Sequence, residues 1–240
     1  MDTVKIEHPN TKLIAHRGAS ALERENTAAA FVAAGNRSYY GIETDVHRTA
    51  DGKYILIHDD TTTRVTGDTT LTVEQTDFAD LRRLTVMDMD KSKRGDLILP
   101  TPEEYFSICR KYGKVAVFEL KNRFTAEQIE EIVEIVRSTG HLEQTVFISF
   151  SYFNVQTVRQ LLPEAKVQYL YYGEITEEFV AGLKADRLDL DVRHDRLDET
   201  AMALLKREGI EVNCWTVDDP ERARRLIELG VDYITTNCLE

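Results

Sequence analysis

The sequence predicts a single (β/α)8 barrel, the TIM-barrel architecture of the α/β class, over residues 1–240. The chain is 240 residues long, and barrels of about this length commonly fold as one domain. Eight short β-branched and apolar runs alternate with longer amphipathic stretches, which indicates a parallel sheet with enough strands to close. No glycine-rich dinucleotide fingerprint or phosphate-binding loop follows a strand. A closed barrel is therefore favoured over an open doubly wound sheet.

The individual elements follow from hydrophobic period and from end signals. Thr125 is a suitable N-cap for a helix over 126–138, and Gly140 lies where that helix should end. Pro220 fits the first turn of a helix over 221–229, and Gly230 follows its last residue. The other predicted helices lie around 102–112 and at 155–162, 177–184 and 199–207. The predicted strands are 12–16, 42–47, 115–120, 145–149, 167–171, 187–190, 210–216 and 232–235.

One segment interrupts this alternation after the second strand. Asp51-Gly52 is a hairpin signal, and a further apolar run over 54–58 follows it. The chain then continues through a long polar stretch until the helix around 102–112. We expect an insertion of about residues 51–100 on the second βα connection.

Charge and composition restrict the classes of partner. The formal net charge is -12, which argues against a nucleic acid because phosphate backbones are bound through basic surfaces. A small phosphorylated substrate is still compatible, since carboxylates in a pocket can recruit a cation that attracts the phosphate. Neither a signal peptide nor a run of ~20 apolar residues is apparent, so we expect a cytoplasmic location and no stable membrane insertion. Cys109, Cys214 and Cys238 are expected to be free thiols.

Three carboxylates predict a metal site at the C-terminal mouth of the barrel, where barrel enzymes carry their chemistry. Side chains alternate along a strand, so Glu43 and Asp45 share one face, as do Glu119 and Lys121. Acids that converge in a mouth repel one another unless a cation lies between them. Oxygen ligands select a hard divalent ion, Mg²⁺ or Ca²⁺. The alternative is that these acids form ion pairs with Arg17 and Lys121.

Two histidines close to these acids are candidate proton-transfer groups. His16 and His58 stand at predicted strand ends, and histidine titrates near neutral pH. Arg17 and Lys121 could bind phosphate and offset charge in a transition state. His47 lies on the same strand face as Asp45 and is a weaker candidate.

These signals, in this order, resemble the glycerophosphodiester phosphodiesterase family. The resemblance covers nearly the whole chain, and its most specific part is the block over residues 41–59. The matching motifs are HRG (16–18), ENT (25–27), GIETDVHRTADGKYILIHD (41–59), FELK (118–121), ISF (148–150), WTV (215–217) and GVDYITTN (230–237).

The resemblance implies a phosphoric diester hydrolase that converts a small-molecule glycerophosphodiester to glycerol 3-phosphate and an alcohol. It implies that Trp215 lines the substrate pocket and that Glu25 lies near the site. It also implies that His16 and His58 are the general acid and base. Glu43, Asp45 and Glu119 would be the ligands of one divalent ion. Arg17 and Lys121 would bind the phosphate.

The family pattern is not matched everywhere. Arg24 stands where proline usually precedes ENT, and Asn237 stands where aspartate is more common. Little chain follows Asn237, so the eighth helix is expected to be truncated or missing.

Several alternatives stay open at this point. A lysophospholipase-D-type or other lipid phosphodiesterase could use the same barrel, and so could a binding protein without activity. The nucleophile could be water or a neighbouring hydroxyl of the substrate that first gives a cyclic phosphate. We favour His16 as the acid towards the leaving alcohol and His58 as the base.

Overall fold

The computed structural model describes residues 2–240 of the chain. Eight parallel strands form a closed barrel, because the first strand pairs with both the second and the last. A ninth, short strand, β3, pairs antiparallel with the upper end of β2. The strands are β1 (Lys12–Ala15), β2 (Gly41–Arg48), β3 (Tyr54–Leu56), β4 (Val115–Leu120), β5 (Thr145–Ser149), β6 (Lys166–Tyr171), β7 (Asp189–Arg193), β8 (Val212–Trp215) and β9 (Tyr233–Thr236). The predicted (β/α)8 architecture is confirmed.

Seven of the helices connect consecutive barrel strands around the outside, and residues 237–240 after β9 form no helix. The predicted caps are present at α5, where the Thr125 hydroxyl accepts from the main-chain N of Gln128 in a capping box. Gly230 ends α9 in the left-handed conformation. The helices are α1 (Ala28–Gly35), α2 (Thr63–Thr66), α3 (Phe78–Arg82), α4 (Pro102–Tyr112), α5 (Ala126–Ser138), α6 (Tyr152–Leu161), α7 (Glu177–Ala185), α8 (Glu199–Glu208) and α9 (Pro220–Leu229).

Apolar side chains are buried in three places. The largest cluster fills the layer between the strands and the outer helices. A smaller cluster lies inside the barrel and includes Ile14, Val117 and Leu170. The segment between β2 and α4, residues 49–101, has its own cluster, which contains Ile55, Ile57, Val65, Val73, Leu81, Val86, Leu97 and Leu99. The barrel interior is thus packed, and side chains that project beyond this packing at the C-terminal ends of the strands form the mouth.

One strand lies later in the chain than predicted. The sequence predicts a strand over 187–190, but β7 runs from Asp189 to Arg193. Arg187 adopts a left-handed conformation with φ 54°, and the Leu188 main-chain N donates to the Leu183 carbonyl at 2.9 Å. These two residues close the turn after α7 and cannot belong to the strand. β7 therefore includes Asp191 and ends at Arg193.

Two sequence expectations concern the chain as a whole. Cys109, Cys214 and Cys238 are free, as predicted. Within residues 2–240, no helix combines the length and the apolar character that crossing a bilayer requires.

Candidate active site

The three predicted carboxylates meet at the mouth of the barrel. The parallel register of β2 and β4 pairs Asp45 with Glu119, and Glu43 lies two residues earlier on the same face of β2. One carboxylate oxygen from each of the three lies within 4.8 Å of the others. Their side chains are almost completely buried, with 3, 0 and 6 % of the residue surface exposed for Glu43, Asp45 and Glu119.

Two cations contact this cluster without balancing its charge. The Lys121 Nζ lies 2.9 Å from Glu119 Oε1 and 3.4 Å from Asp45 Oδ1. The Arg17 Nε lies 3.6 Å from Asp45 Oδ2, and the Arg17 main-chain N donates to Glu43 Oε2 at 2.8 Å. The ion pairs of the alternative interpretation are therefore present, but two cations face three carboxylates. Asp45 Oδ1 is fully buried and accepts no hydrogen bond from the described residues.

The pKa values of the three acids reflect this imbalance. Burial raises the pKa of Glu43 well above its ordinary value, and the charges of Asp45 and Glu119 raise it further. Burial and Asp45 raise the pKa of Glu119 to about 8. Burial acts in the same direction on Asp45, but Lys121 and Arg17 outweigh it and hold its pKa below the ordinary value. Three buried carboxylates, with Asp45 Oδ1 and Glu119 Oε1 free of hydrogen bonds from the described residues, fit the ligand set of a hard divalent ion.

His58 reaches this mouth because of the β2–β3 hairpin. Val46 pairs with Leu56 in the antiparallel ladder, and the Ile57 main-chain N donates to the Asp45 carbonyl at 3.1 Å. The next residue, His58, therefore stands above the acids. Its Nδ1 lies 2.7 Å from Asp59 Oδ1, so Nδ1 carries the proton and Nε2 can accept one. Burial lowers the pKa of His58, and Asp45 opposes that shift.

His16 follows β1 and lines the same cavity as His58. Its Nδ1 lies 2.8 Å from Asn237 Oδ1. The Asn237 amide is oriented by Nδ2, which donates to Asp218 Oδ2 at 2.6 Å, so its oxygen faces the ring and His16 Nδ1 is the donor. Burial and Arg17 lower the pKa of His16 to about 4, while the bond to Asn237 acts in the opposite direction.

An ion-pair network connects the loops that carry these groups. Arg17 Nη1 donates to Glu25 Oε1 at 2.8 Å, which gives the predicted neighbour of the site a definite contact. Arg64, from α2, donates to both oxygens of Glu25 at 2.6 and 2.8 Å. It also donates to both oxygens of Asp59 at 2.7 and 2.9 Å. Arg64 could not be predicted as part of the site, because nothing in the sequence indicates that α2 packs above the mouth.

The second residue of the ENT motif contacts the carboxylates directly. The Asn26 Nδ2 donates to Asp45 Oδ2 at 2.8 Å, and its side-chain oxygen accepts from the Thr44 hydroxyl at 2.7 Å. Asn26 thus orients one carboxylate of the cluster.

The cavity at the mouth has a volume of about 100 Å³ and is lined by both histidines, Arg17, Glu43 and Glu119. Its opposite wall comes from β5 to β9 and includes Phe150, Trp215 and the buried carboxyl of Asp191. The Trp215 Nε1 donates to the main-chain carbonyl of Asp191 at 3.3 Å. His47 does not line this cavity; its ring lies near the His58 carbonyl and Asn122.

Comparisons with known proteins agree with this arrangement. Residues 16–240 match the model of the glycerophosphoryl diester phosphodiesterase family. A glycerophosphodiester phosphodiesterase from Caldanaerobacter subterraneus subsp. tengcongensis is 28 % identical over 229 residues, which cover 95 % of this chain and 94 % of that protein. Solved structures of phosphodiesterases are also similar to this chain.

An Oleispira antarctica phosphodiesterase in complex with the product sn-glycerol-3-phosphate is 26 % identical, with a TM-score of 0.84 and coverage of 94 % of this chain and 92 % of that one. The glycerophosphodiester phosphodiesterase of Thermotoga maritima is 26 % identical, with a TM-score of 0.77 and coverage of 96 % of both chains. Because the family model matches nearly the whole chain, this protein belongs to the glycerophosphoryl diester phosphodiesterase family.

Proposed function

We propose that the chain hydrolyses glycerophosphodiesters to glycerol 3-phosphate and an alcohol, with residues 1–240 acting as one catalytic domain. The observation that carries the proposal is the convergence of three buried carboxylates and two histidines on one cavity. The names of the relatives support the substrate class, and so does the product bound in the Oleispira antarctica protein. Neither the carboxylates nor the histidines are needed to stabilise a barrel.

In this proposal Glu43, Asp45 and Glu119 hold one divalent ion, Mg²⁺ or Ca²⁺. Asp45 Oδ1, which has an ion pair with Lys121 but no hydrogen bond from the described residues, and the excess of carboxylates over cations support that assignment. A divalent ion bound there would polarise a phosphoryl oxygen and offset negative charge in the transition state. Arg17 and Lys121 would bind the remaining phosphoryl oxygens, since both lie beside the carboxylates. Trp215 would pack against the carbon atoms of the substrate.

The hydrogen bonds of the histidines support different roles for them. A carboxylate accepts from His58, and that contact stabilises the imidazolium formed when His58 takes a proton from the nucleophile. A neutral amide accepts from His16, and burial with Arg17 lowers its pKa to about 4, so the negative charge of a bound phosphate would be needed to hold the acidic proton on Nε2. His58 is therefore the general base, and His16 donates the proton to the departing alcohol.

The direct experiment measures glycerol 3-phosphate released from sn-glycero-3-phosphocholine. We expect a chelator to abolish turnover and Mg²⁺ or Ca²⁺ to restore it. His16→Ala and His58→Ala should each lower kcat by ~10² or more. His8→Ala is the matched control, because the His8 side chain bonds to the Thr11 carbonyl and does not line the cavity.

Two results would contradict the proposal. One is a wild-type chain that releases no glycerol 3-phosphate with either ion. The other is full activity in His16→Ala or His58→Ala. Faster turnover of lysophosphatidylcholine than of glycerophosphocholine would instead favour the lysophospholipase-D-type alternative.

A further inference from the structure

Asp191 is a buried carboxyl group at the active-site cavity that the proposed chemistry does not use. It lies on β7 and lines the cavity together with His16 and Glu119. Only 2 % of the residue surface is exposed. Its Oδ1 is buried and receives no hydrogen bond from the described residues. By contrast, Asp189 on the same strand accepts from the main-chain N of Glu211 at 3.0 Å.

The apolar part of the cavity wall offers Asp191 Oδ1 no hydrogen-bond partner. The wall between β5 and β8 is apolar at Ile148, Phe150 and Leu170. The indole N–H of Trp215 is already bonded to the main chain of Asp191. Among the described residues of this wall, Asp191 carries the only ionisable side chain.

The polar residues on neighbouring strands bond to one another. Asn213 Oδ1 accepts from the Thr235 hydroxyl at 3.2 Å, and Asn213 Nδ2 lies 3.5 Å from Gln168 Oε1. These contacts satisfy a buried polar layer across β6, β8 and β9, and they leave Asp191 Oδ1 free.

A buried polar atom without a partner destabilises a protein, so it is expected at a place where a ligand supplies the partner. Burial raises the pKa of Asp191 well above its ordinary value and Glu119 adds to that effect, while a contact with Asn213 opposes it. A carboxyl group suits a hydroxyl group in either protonation state, because it can accept a hydrogen bond from the hydroxyl and, when protonated, also donate one. Its protonated form is less suited to an ammonium group, which needs a charged partner.

The position of Asp191 relative to the cations indicates which part of the substrate it meets. Arg17, Lys121 and the three clustered acids come from β1, β2 and β4 or the loops that follow them. A phosphate held on that side turns its organic substituents towards the opposite wall. On that wall, Asp191 carries a side-chain oxygen, Oδ1, that receives no hydrogen bond from the described residues.

We propose that Asp191 is a specificity-determining residue whose free carboxyl oxygen bonds a hydroxyl group of the substrate's glycerol moiety. This inference rests on the proposed hydrolysis of glycerophosphodiesters. It adds a contact with the organic part of the substrate, outside the cluster of acids and histidines.

The test compares a substrate that carries glycerol with one that does not. Asp191→Ala should lower kcat/KM for sn-glycero-3-phosphocholine about 10- to 100-fold, because a hydrogen bond in a buried site is lost. The same variant should hydrolyse bis(p-nitrophenyl) phosphate within about threefold of the wild-type rate, since that diester has no hydroxyl group to bind. Asp191→Asn has nearly the same volume and keeps one acceptor oxygen, so its loss should be smaller.

An equilibrium measurement supplements the kinetics. Asp191→Ala should raise the inhibition constant of glycerol 3-phosphate about tenfold and leave that of inorganic phosphate unchanged. Asp189→Asn is the matched control, because it changes a carboxyl group on the same strand that already accepts from the main-chain N of Glu211 and does not line the cavity. That variant should change both diester substrates by the same factor.

The results distinguish a failure of the role of Asp191 from a failure of the proposed function. Equal losses on both substrates, or no loss on either, would overturn the role of Asp191 while the wild-type activity upholds the proposed function. A larger loss with glycerophosphoethanolamine than with glycerophosphoglycerol would also overturn it, because the residue would then bind an ammonium group. A wild-type chain that hydrolyses neither diester refutes the proposed function and this inference together.

Discussion

The contact between His58 and Asp59 can be tested by the single substitution Asp59→Asn. Asp59 Oδ1 accepts from His58 Nδ1 and from Arg64 Nη2, whereas Oδ2 accepts only from Arg64 Nε. An amide nitrogen at the Oδ1 position would face two donors, but at the Oδ2 position it would face one. The carbonyl oxygen should therefore stay on His58 and keep the proton on Nδ1. What the variant loses is the negative charge beside the imidazolium.

The size of the effect follows from that geometry. A hydrogen bond to a charged group contributes about 1.5–3 kcal/mol, which corresponds to about 10- to 150-fold in rate. Asp59 is partly exposed to solvent, so we expect a loss of kcat of about 10- to 30-fold. A wrong tautomer would cost far more, on the order of 10⁴. Loss of the anion also lowers the pKa of His58, so the acidic limb of the kcat/KM profile should move to lower pH.

The assay is glycerol 3-phosphate release from sn-glycero-3-phosphocholine between pH 5 and pH 9 (about four units, wide enough to contain a histidine limb). Asp60→Asn is the matched control, because the Asp60 side chain is exposed next to Asp59 and forms no hydrogen bond with residues 2–240. A variant with wild-type kcat and an unmoved acidic limb would refute the assignment of His58 as a base supported by Asp59.

Three further predictions concern the surroundings of the two histidines. Arg64→Met should lower kcat about 10-fold, because Asp59 would lose the two hydrogen bonds that hold it against His58. Arg94→Met breaks ion pairs away from the cavity and should leave kcat unchanged. Equal effects of the two substitutions would contradict a role for Arg64 in positioning Asp59. In the folded protein the pKa of His16 is about 4, whereas in the unfolded chain it is about 6.5. As the pH falls from about 6.5 to about 4, the unfolded chain takes up a proton that the folded protein does not. The free energy of unfolding therefore falls by up to about 3 kcal/mol over that window, and it is not affected by His16 above it. Urea unfolding of His16→Gln should therefore depend less on pH over that window than the wild type, and parallel curves would refute this. Asn237→Asp should raise the pKa of His16 in an NMR titration, because a carboxylate would replace the neutral acceptor; an unchanged or lower value would be inconsistent with the contact.

The barrel and its carboxylate cluster could be predicted from the sequence because both depend on local periodicity. Alternation along β2 and β4 is sufficient to put Glu43, Asp45 and Glu119 on inward faces, once the strands are adjacent. The hairpin signal at Asp51-Gly52 indicates that the chain turns back after β2, and β3 does so. The caps of α5 and α9 are likewise properties of short sequence windows.

The remaining features depend on contacts between distant parts of the chain. Arg64 lies 39 residues from Glu25 and follows a polar loop with no periodicity. Asp191 was outside the predicted strand, because the left-handed turn at Arg187 shifts the start of β7 and has no strong local signal. Asn237 was noted only as a departure from the family pattern, and its bond to His16 requires the closure of the barrel between β1 and β9.

Calorimetric titration of chelator-treated protein with Mg²⁺ or Ca²⁺ measures whether Glu43, Asp45 and Glu119 bind one divalent ion. Glu119 has a pKa of about 8 in the metal-free protein, so Glu119→Gln changes little in that state at pH 7. We expect one ion per wild-type chain with release of about one to two protons, because the pKa values of both Glu43 and Glu119 are raised, and binding at least about 10-fold weaker in Glu119→Gln. Unaltered affinity in that variant, or no saturable binding to the wild type, would contradict the account.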